Sequence, residues 1–558
     1  MTLLRDPEGT SQVPSPEPTH PGPVSAAVRL RAPVRSGVTE RFEATDPPRG
    51  WDVAAHPLVA RILRSRKFQF ALILPNQVIF WLVIGLGLLG TVVPGLNFGT
   101  AITWYIWFCL VFVLMVAVGR AWCVMCPFGG FAEWIQRRGL WTRTQRRLGL
   151  GRKLPEPVAQ YGFLLSVGMF LLLTWIEEFF NIAGPGNPAA TSFMVLGIVA
   201  SALAFFLVFE RRTFCRYFCP LTALIGTVGA AGSVAGFRTR DREVCLDCKT
   251  KDCMRGGVNG YGCPWYTWPG SADSNLSCGL CSECFKGCPE SNIGLYVQKP
   301  LTSVINPRRR RADVAWAVAV LWGLVIFQQV NATNIYADVD KWLNRLTGLA
   351  YPNPVDYVAI IAIVALAMAA TVEAVRRAVG LRDLAGSGAA LVAVATPATT
   401  STATSTATGS ATAIGTRSGA PKRADFISRT SAFRSFFLPL MYGLVPVVGA
   451  DYFARQLPKF FKHASRIVPS IGHLFGDGST TSALYNTRLL PNPGIVDVQV
   501  AVIALGTLAS MLASSKIARR ELVGISRHPA ATRYVALALP LVCGLVAAVL
   551  YVIMHAAS

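Results

Sequence analysis

From residue 69 onward the chain alternates between long apolar runs and short polar stretches, and the runs are apolar on every face rather than along one stripe. A helix of about 20 such residues matches the thickness of a bilayer's hydrocarbon core. The pattern predicts nine spanning helices, at roughly 69–92, 100–119, 158–177, 191–209, 314–330, 355–374, 435–450, 494–513 and 533–554. The seventh is the weakest, because it is short and holds Pro439 and Pro446, each expected to kink a helix.

Composition agrees with that class. Of 558 residues, 52% are hydrophobic and only 15% charged, well under the roughly 25% of soluble domains. The net charge of +23 raises nucleic-acid binding, but the basic residues gather on one side of the apolar runs, as topology signals do. Arg137, Arg138, Arg143, Arg146, Arg147, Arg152 and Lys153 follow span two, whereas 178–190 holds no Lys or Arg. Arg308 to Arg311 precede span five, and Arg376, Arg377 and Arg382 follow span six. All of these share the inner face if the N-terminus is inside, as Arg61, Arg64, Arg66 and Lys67 before span one also imply. Lys459, Lys462 and Arg466 fall on the other side, and are expected in an amphipathic helix lying on the membrane. The expected place is therefore a bacterial-type inner membrane, with the N-terminus cytoplasmic.

Away from the spans, residues 1–50 are Pro-rich and read as disordered, with no secretory signal pattern. Residues 384–420 are Ala/Thr/Ser-rich and read as a flexible linker. Gly409-Ser410-Ala411-Thr412 within it faintly matches a flavin-attachment motif but lacks the upstream acid, so no flavin is expected. The predicted organisation is a disordered segment at 1–67 and a four-helix membrane repeat at 68–236. A cysteine-rich domain follows at 237–300, two spans at 301–383, a linker at 384–432 and three spans at 433–558.

The repeat lies in the first four spans. Span two runs into GRAWCVMCPFGGFAEW and span four into RRTFCRYFCPLTALIG, so each hairpin ends in Arg-x-x-Cys, a second Cys and Pro. Two hairpins of like orientation imply a parallel repeat about the membrane normal, which brings Cys123, Cys126, Cys215 and Cys219 to one level. A redox dithiol, a further metal centre and a purely structural role all remain open for these four. Cys109 and Cys543, inside apolar runs, read as small buried hydrophobes.

The densest chemistry is Cys278-x2-Cys281-x2-Cys284-x3-Cys288-Pro289. Three thiolates in a tight loop wrap one face of a 4Fe-4S cube, and the Cys before Pro serves the other cluster in two-cluster ferredoxins. A zinc site would instead use two CxxC pairs across a longer loop. Upstream stand Cys245-x2-Cys248-x4-Cys253 and, after nine residues, Cys263-Pro264. Eight cysteines in two sets of four predict two 4Fe-4S clusters. If ligation crosses in the usual way, Cys245, Cys248, Cys253 and Cys288 hold one cluster, and Cys263, Cys278, Cys281 and Cys284 the other. The fold class expected is then an all-α polytopic membrane protein carrying a small α+β ferredoxin-like cytoplasmic insert. Trp265, Tyr266 and Trp268 read as packing beside the bilayer.

This layout resembles the membrane-bound polyferredoxin family of NapH and NosR over about residues 68–300. Cys215-x3-Cys219-Pro220 matches that family's motif, whereas Cys123-x2-Cys126-Pro127 is one residue shorter. The resemblance implies electron transfer, as a component of an oxidoreductase system rather than a stand-alone enzyme. Spans five to nine lie outside it.

Other chemistry finds little support. His20, His56, His463, His473, His528 and His555 stand outside the deep parts of the spans, so no haem is expected. No phosphate-binding loop, nucleophile elbow or HExxH occurs. Electrons from inner-face clusters still face about 30 Å of hydrocarbon. Quinone, the paired cysteines or a partner subunit are the candidate bridges. Glu177 and Glu178, at the far end of span three, read as a solvated helix terminus or as proton acceptors for a quinol. The leading expectation is an electron carrier between a cytoplasmic or quinol donor and a membrane or exported oxidoreductase. The alternative is a redox-sensing accessory factor for maturation of a metalloenzyme.

Overall fold

In lipid, backbone N–H and C=O groups must find partners within the chain, and the apolar runs meet that demand as helices. The structure, a computed structural model, describes residues 50–138, 149–182, 187–272, 274–307, 310–331, 333–349, 353–380, 421–477 and 479–557. The Pro-rich start, the Ala/Thr/Ser-rich stretch, His20, Arg143, Arg146, Arg147, Arg308, Arg309 and Arg382 lie outside those residues. All of the described residues belong to one unit.

The long helices are α1 (Phe68–Leu89), α2 (Phe108–Val118), α3 (Pro127–Arg137), α4 (Gly162–Phe179), α5 (Pro188–Val208) and α6 (Leu221–Ala231). After them come α7 (Ala312–Val330), α8 (Pro354–Val379), α9 (Pro421–Gly443), α10 (Val445–His463), α11 (Asn492–Ile517) and α12 (Pro529–Ala557). Among the described residues eight helices are long and apolar enough to cross a membrane, or nine if one bent pair counts as a span. That pair is the seventh expected span, bent by 42° between Gly443 and Val445. Its break falls at Leu444 rather than at a proline. Pro446 sits in the first turn of α10, where its missing N–H leaves nothing unpaired.

The two hairpins pack by exchange. The helix after the first Cys-Pro, α3, lies on α5 and α1, while the helix after the second, α6, lies on α4 and α2. Close approach of α1 and α5 depends on Gly87, where a Cβ would stand 2.1 Å from Ser192 Oγ.

Strands β1 (Trp51–Asp52), β2 (Val234–Thr239) and β3 (Ile293–Val297) form one antiparallel sheet in the order β1-β3-β2. Asp52 stitches the segment before the first span to this sheet. Its Oδ1 accepts from Leu295 N at 3.0 Å, and its Oδ2 pairs with Arg240 at 2.7 Å. Because β2 and β3 bracket residues 240–292, the eight clustered cysteines hang from one small sheet beside the helices.

Candidate metal centres

Tight backbone turns shape the cysteine segment. Leu280 and Ser282, between the three close cysteines, take left-handed φ values of 55° and 60°. Residues of alternating hand aim successive amide N–H groups into one concavity, as at many Fe–S sites. The two Cys-Pro corners repeat one design. Tyr266 (φ 53°) and Ser291 (φ 50°) each stand three residues after the cysteine. The next amides, of Thr267 and Asn292, donate to Cys263 Sγ and Cys288 Sγ, both at 3.4 Å.

The structure sorts the eight thiols into two groups. Cys245, Cys248, Cys253 and Cys288 ring an open pocket of about 300 Å³, together with Lys251, Trp268 and Asn292. Cys263, Cys278, Cys281 and Cys284 form the second group: Cys284 lies within electrostatic reach of the other three, and Cys263 of Cys278 and Cys281. Cys253 in turn lies within reach of Cys263 and Cys284, so the groups adjoin. The pocket thus gathers three cysteines of the first half with Cys288, an arrangement compatible with the crossed ligation expected from the spacing.

Burial, then the neighbouring thiols Cys288, Cys245 and Cys248, push the Cys253 thiol up to about 12. Burial likewise raises Cys278, Cys281 and Cys284. Thiolates crowded this way need a compensating cation, which bound iron supplies. Among the described residues, no three His, Cys, Asp or Glu side chains converge on one point as ligands of a single ion do. A cubane asks for something else, since each thiolate meets a different iron at a different corner. Four cysteines around a pocket, with amide donors aimed at sulfur, fit that group.

A third thiol group lies within the membrane repeat. Cys126 (φ −64°, ψ 124°) and Cys219 (φ −58°, ψ 124°) share one backbone conformation immediately before the proline that opens the next helix. Cys123, Cys126, Cys215 and Cys219 lie within electrostatic reach of one another. Gly129 keeps space beside Cys215, where a Cβ would come within 3.1 Å of Sγ. The one-residue difference in spacing is absorbed locally: a short α-helix, Trp122–Met125, precedes Cys126, and a π-helical turn, Phe214–Phe218, precedes Cys219.

Between the membrane group and the second ferredoxin-type group stands Trp265, 1% exposed. The paired motif arginines meet it: Arg120 Cζ lies 4.6 Å and Arg212 Cζ 5.9 Å from the ring. Arg211 donates to the Cys263 carbonyl at 2.7 Å, Arg216 to that of Trp265, and Arg120 to that of Leu276 at 2.6 Å. Arg212 also donates to the Cys123 carbonyl at 2.9 Å and to Glu133 at 2.8 Å, and lies within reach of both Cys215 and Cys281. These contacts fasten the Cys263 corner onto the hairpin motifs. Sequence reasoning assigned Trp265 to packing and overlooked Glu133. The signal present was the Arg-x-x-Cys spacing, repeated at Arg120 and Arg212.

The other singled-out residues lie elsewhere. Glu177 pairs with Lys459 and Glu178 with Arg455, both at 3.5 Å, so the end of α4 is bridged to α10 rather than simply solvated. The His463 ring lies 5.0 Å from that of Tyr105. A pocket of about 510 Å³ between α1, α3 and the 258–261 loop is lined by Gln69, Phe70, Glu133, Trp134, Tyr261 and Glu283, among others.

Comparison with known families gives a match. The family described as "4Fe-4S binding domain" matches residues 100–149 and 191–235. Those stretches contain Cys123, Cys126, Cys215 and Cys219, and end before the eight clustered cysteines. No curated protein and no solved structure matches the chain. The match supports a ferredoxin-type iron–sulfur protein, and its helices are compatible with a multi-pass membrane protein.

Proposed function

We propose that the chain is a membrane-bound electron carrier that holds two 4Fe-4S clusters and exchanges electrons between a cytoplasmic or quinol donor and a membrane or exported oxidoreductase. In this reading Cys245, Cys248, Cys253 and Cys288 hold the cluster nearer the pocket mouth. Cys263, Cys278, Cys281 and Cys284 hold the buried one. A bound cluster supplies a one-electron store whose potential follows its charge, hydrogen bonds and exposure.

The observation that carries the proposal is continuity. Trp265 and the arginines from both hairpins join the buried ligand group to Cys123, Cys126, Cys215 and Cys219. Electron transfer into the membrane needs closely spaced redox centres, and Arg212 lies within reach of both Cys215 and Cys281, so the two cysteine groups adjoin. The four membrane thiols then act as a redox dithiol pair or as ligands of a further centre. The resemblance to NapH and NosR polyferredoxins supports the same role, and the basic loops favour a cytoplasmic cysteine segment.

Anaerobic purification with iron and acid-labile sulfide analysis, followed by EPR of the reduced protein, tests the reading. About eight irons per chain and two interacting reducible signals are expected. A colourless, iron-free protein sinks it. Replacing Cys123, Cys126, Cys215 and Cys219 by Ser separates the accessory-factor alternative. If a partner enzyme then lost its cofactor while cluster turnover persisted, maturation would be the better account.

A further inference from the structure

The last five spans contain buried polar groups that cysteine chemistry does not use. Asp451, on α10 two turns beyond the helix break, is 0% exposed, as is Gln329 at the end of α7. Gln329 Nε2 donates to Asp451 Oδ1 at 2.8 Å. Asp451 Oδ2 and Gln329 Oε1 make no geometric hydrogen bond, although the Tyr551 hydroxyl stands beside both side chains. Tyr551 of α12 donates to the Asp451 carbonyl at 3.3 Å, and Cys543 of the same helix lies within electrostatic reach of the carboxyl. From α11, Gln499 is turned to the Ala454 carbonyl at 3.0 Å. The nearest cation, Arg455, is committed to the Gln328 carbonyl at 2.8 Å and to Glu178 at 3.5 Å.

An ionised carboxylate held this deep costs several kcal/mol after relaxation, more than one amide hydrogen bond offsets. The two unpartnered atoms are both acceptors, and they are the complementary halves of an acid–amide pair. A proton on Oδ2 turns one of them into a donor. The neutral acid then gives to Gln329 Oε1 while Oδ1 keeps its bond from Nε2. Both mismatches are then relieved while the Tyr551 hydroxyl stays on the Asp451 carbonyl.

The same helix face leads outward. Asp451, Arg455 and Lys459 recur every fourth residue, so they line one side of α10. Their partners continue onto the end of α4, where Arg455 meets Glu178 and Lys459 meets Glu177. Exposure rises along the row, from the fully buried Asp451 to side chains 24% exposed at Arg455 and 35% at Lys459.

We propose that Asp451 is a proton-binding site inside the helix bundle, paired with Gln329 and loaded through the Arg455–Glu178 and Lys459–Glu177 stripe. The inference stands apart from the electron-carrier reading, because it needs neither clusters nor a redox partner.

Infrared spectroscopy of the full-length protein in liposomes tests it. The wild type should show a carbonyl stretch of a protonated carboxylic acid that shifts in D2O, and Asp451→Asn should remove it. Asp451→Glu should restore the band at a displaced frequency, which keeps the test valid if the Asn variant folds poorly. Glu178→Gln should leave the band but slow its deuterium exchange several-fold. An unchanged carboxylic acid region in Asp451→Asn overturns the site. Unchanged exchange in Glu178→Gln overturns the loading route.

Discussion

Cys245, Cys248, Cys253 and Cys288 ring a pocket open at the surface, with Cys248 and Cys288 half-buried, whereas Cys263, Cys278, Cys281 and Cys284 are all buried. The first group is met by the Asn292 amide and by a single cation, Lys251, which donates to the carbonyls of Cys245 and Leu246. The second is gripped by arginines of the membrane motifs, which bind the carbonyls of Cys263, Trp265 and Leu276. Ligand type is the same in both, so the difference lies in what surrounds the sulfur. In the proposed reading the open group is the one a redox partner reaches, and the buried one is the one that adjoins the hairpin motifs. Since exposure and hydrogen bonds to sulfur tune iron–sulfur potentials, the two positions should differ in potential as well as in access.

The sharpest way to break this comparison is to remove one ligand from each group. Cys284→Ser should cost the buried cluster and loosen the Trp265 corner, lowering bound iron from about eight to about four per chain. Cys288→Ser stands only four residues later in sequence, yet should abolish the pocket-side signal and spare the buried one. Iron analysis with EPR of each variant decides. If both substitutions erased the same signal, the crossed grouping would be wrong.

Next in size is the bridge to the membrane. Arg212 is fully buried and pairs with Glu133 at 2.5 Å. Removing one partner of such a pair typically costs about 3–5 kcal/mol, because the other charge is left buried. Arg212→Gln should therefore lower the thermal midpoint markedly. Arg240→Gln, at the half-exposed pair with Asp52, should change it by less than about 1 kcal/mol. Differential scanning fluorimetry in detergent compares them. Equal shifts would show that the motif arginines do not clamp the buried group.

These contrasts were only partly legible in the sequence. Span positions were, because an apolar run of bilayer length has few alternatives to a helix: the first was expected at 69–92 and is found at Phe68–Leu89. The seventh was marked as weak from its prolines, but the break at Leu444 depends on how α9 and α10 pack on α11, which no local pattern encodes. Cysteine spacing named the ligand candidates, since tight loops are local. Convergence was not legible. Trp265 is 145 residues from Arg120 and 53 from Arg212 by numbering, and only the exchange packing of the hairpins brings both onto one ring. Asp451 escaped notice for the same reason, because a single acid one residue past the weak span expected at 435–450 gives no sign of the amide on α7 that it faces.

The smallest effect expected is a shift in potential confined to the open group. Asn292 Nδ2 lies 3.5 Å from Cys245 Sγ, and its backbone N–H donates to Cys288 Sγ at 3.4 Å. Donors at sulfur favour the reduced cluster, which carries more negative charge. Asn292→Ala removes the side-chain donor and keeps the backbone one. The pocket-side cluster should then become harder to reduce by some tens of millivolts, on a scale where about 59 mV is tenfold for a one-electron couple. The buried cluster has its own donor in Thr267 N–H, and its potential should not move. An EPR-monitored redox titration of variant and wild type reads both potentials at once. Parallel shifts in both would mean that Asn292 acts through the fold as a whole, and the open and buried groups would lose their separate electrostatic identities.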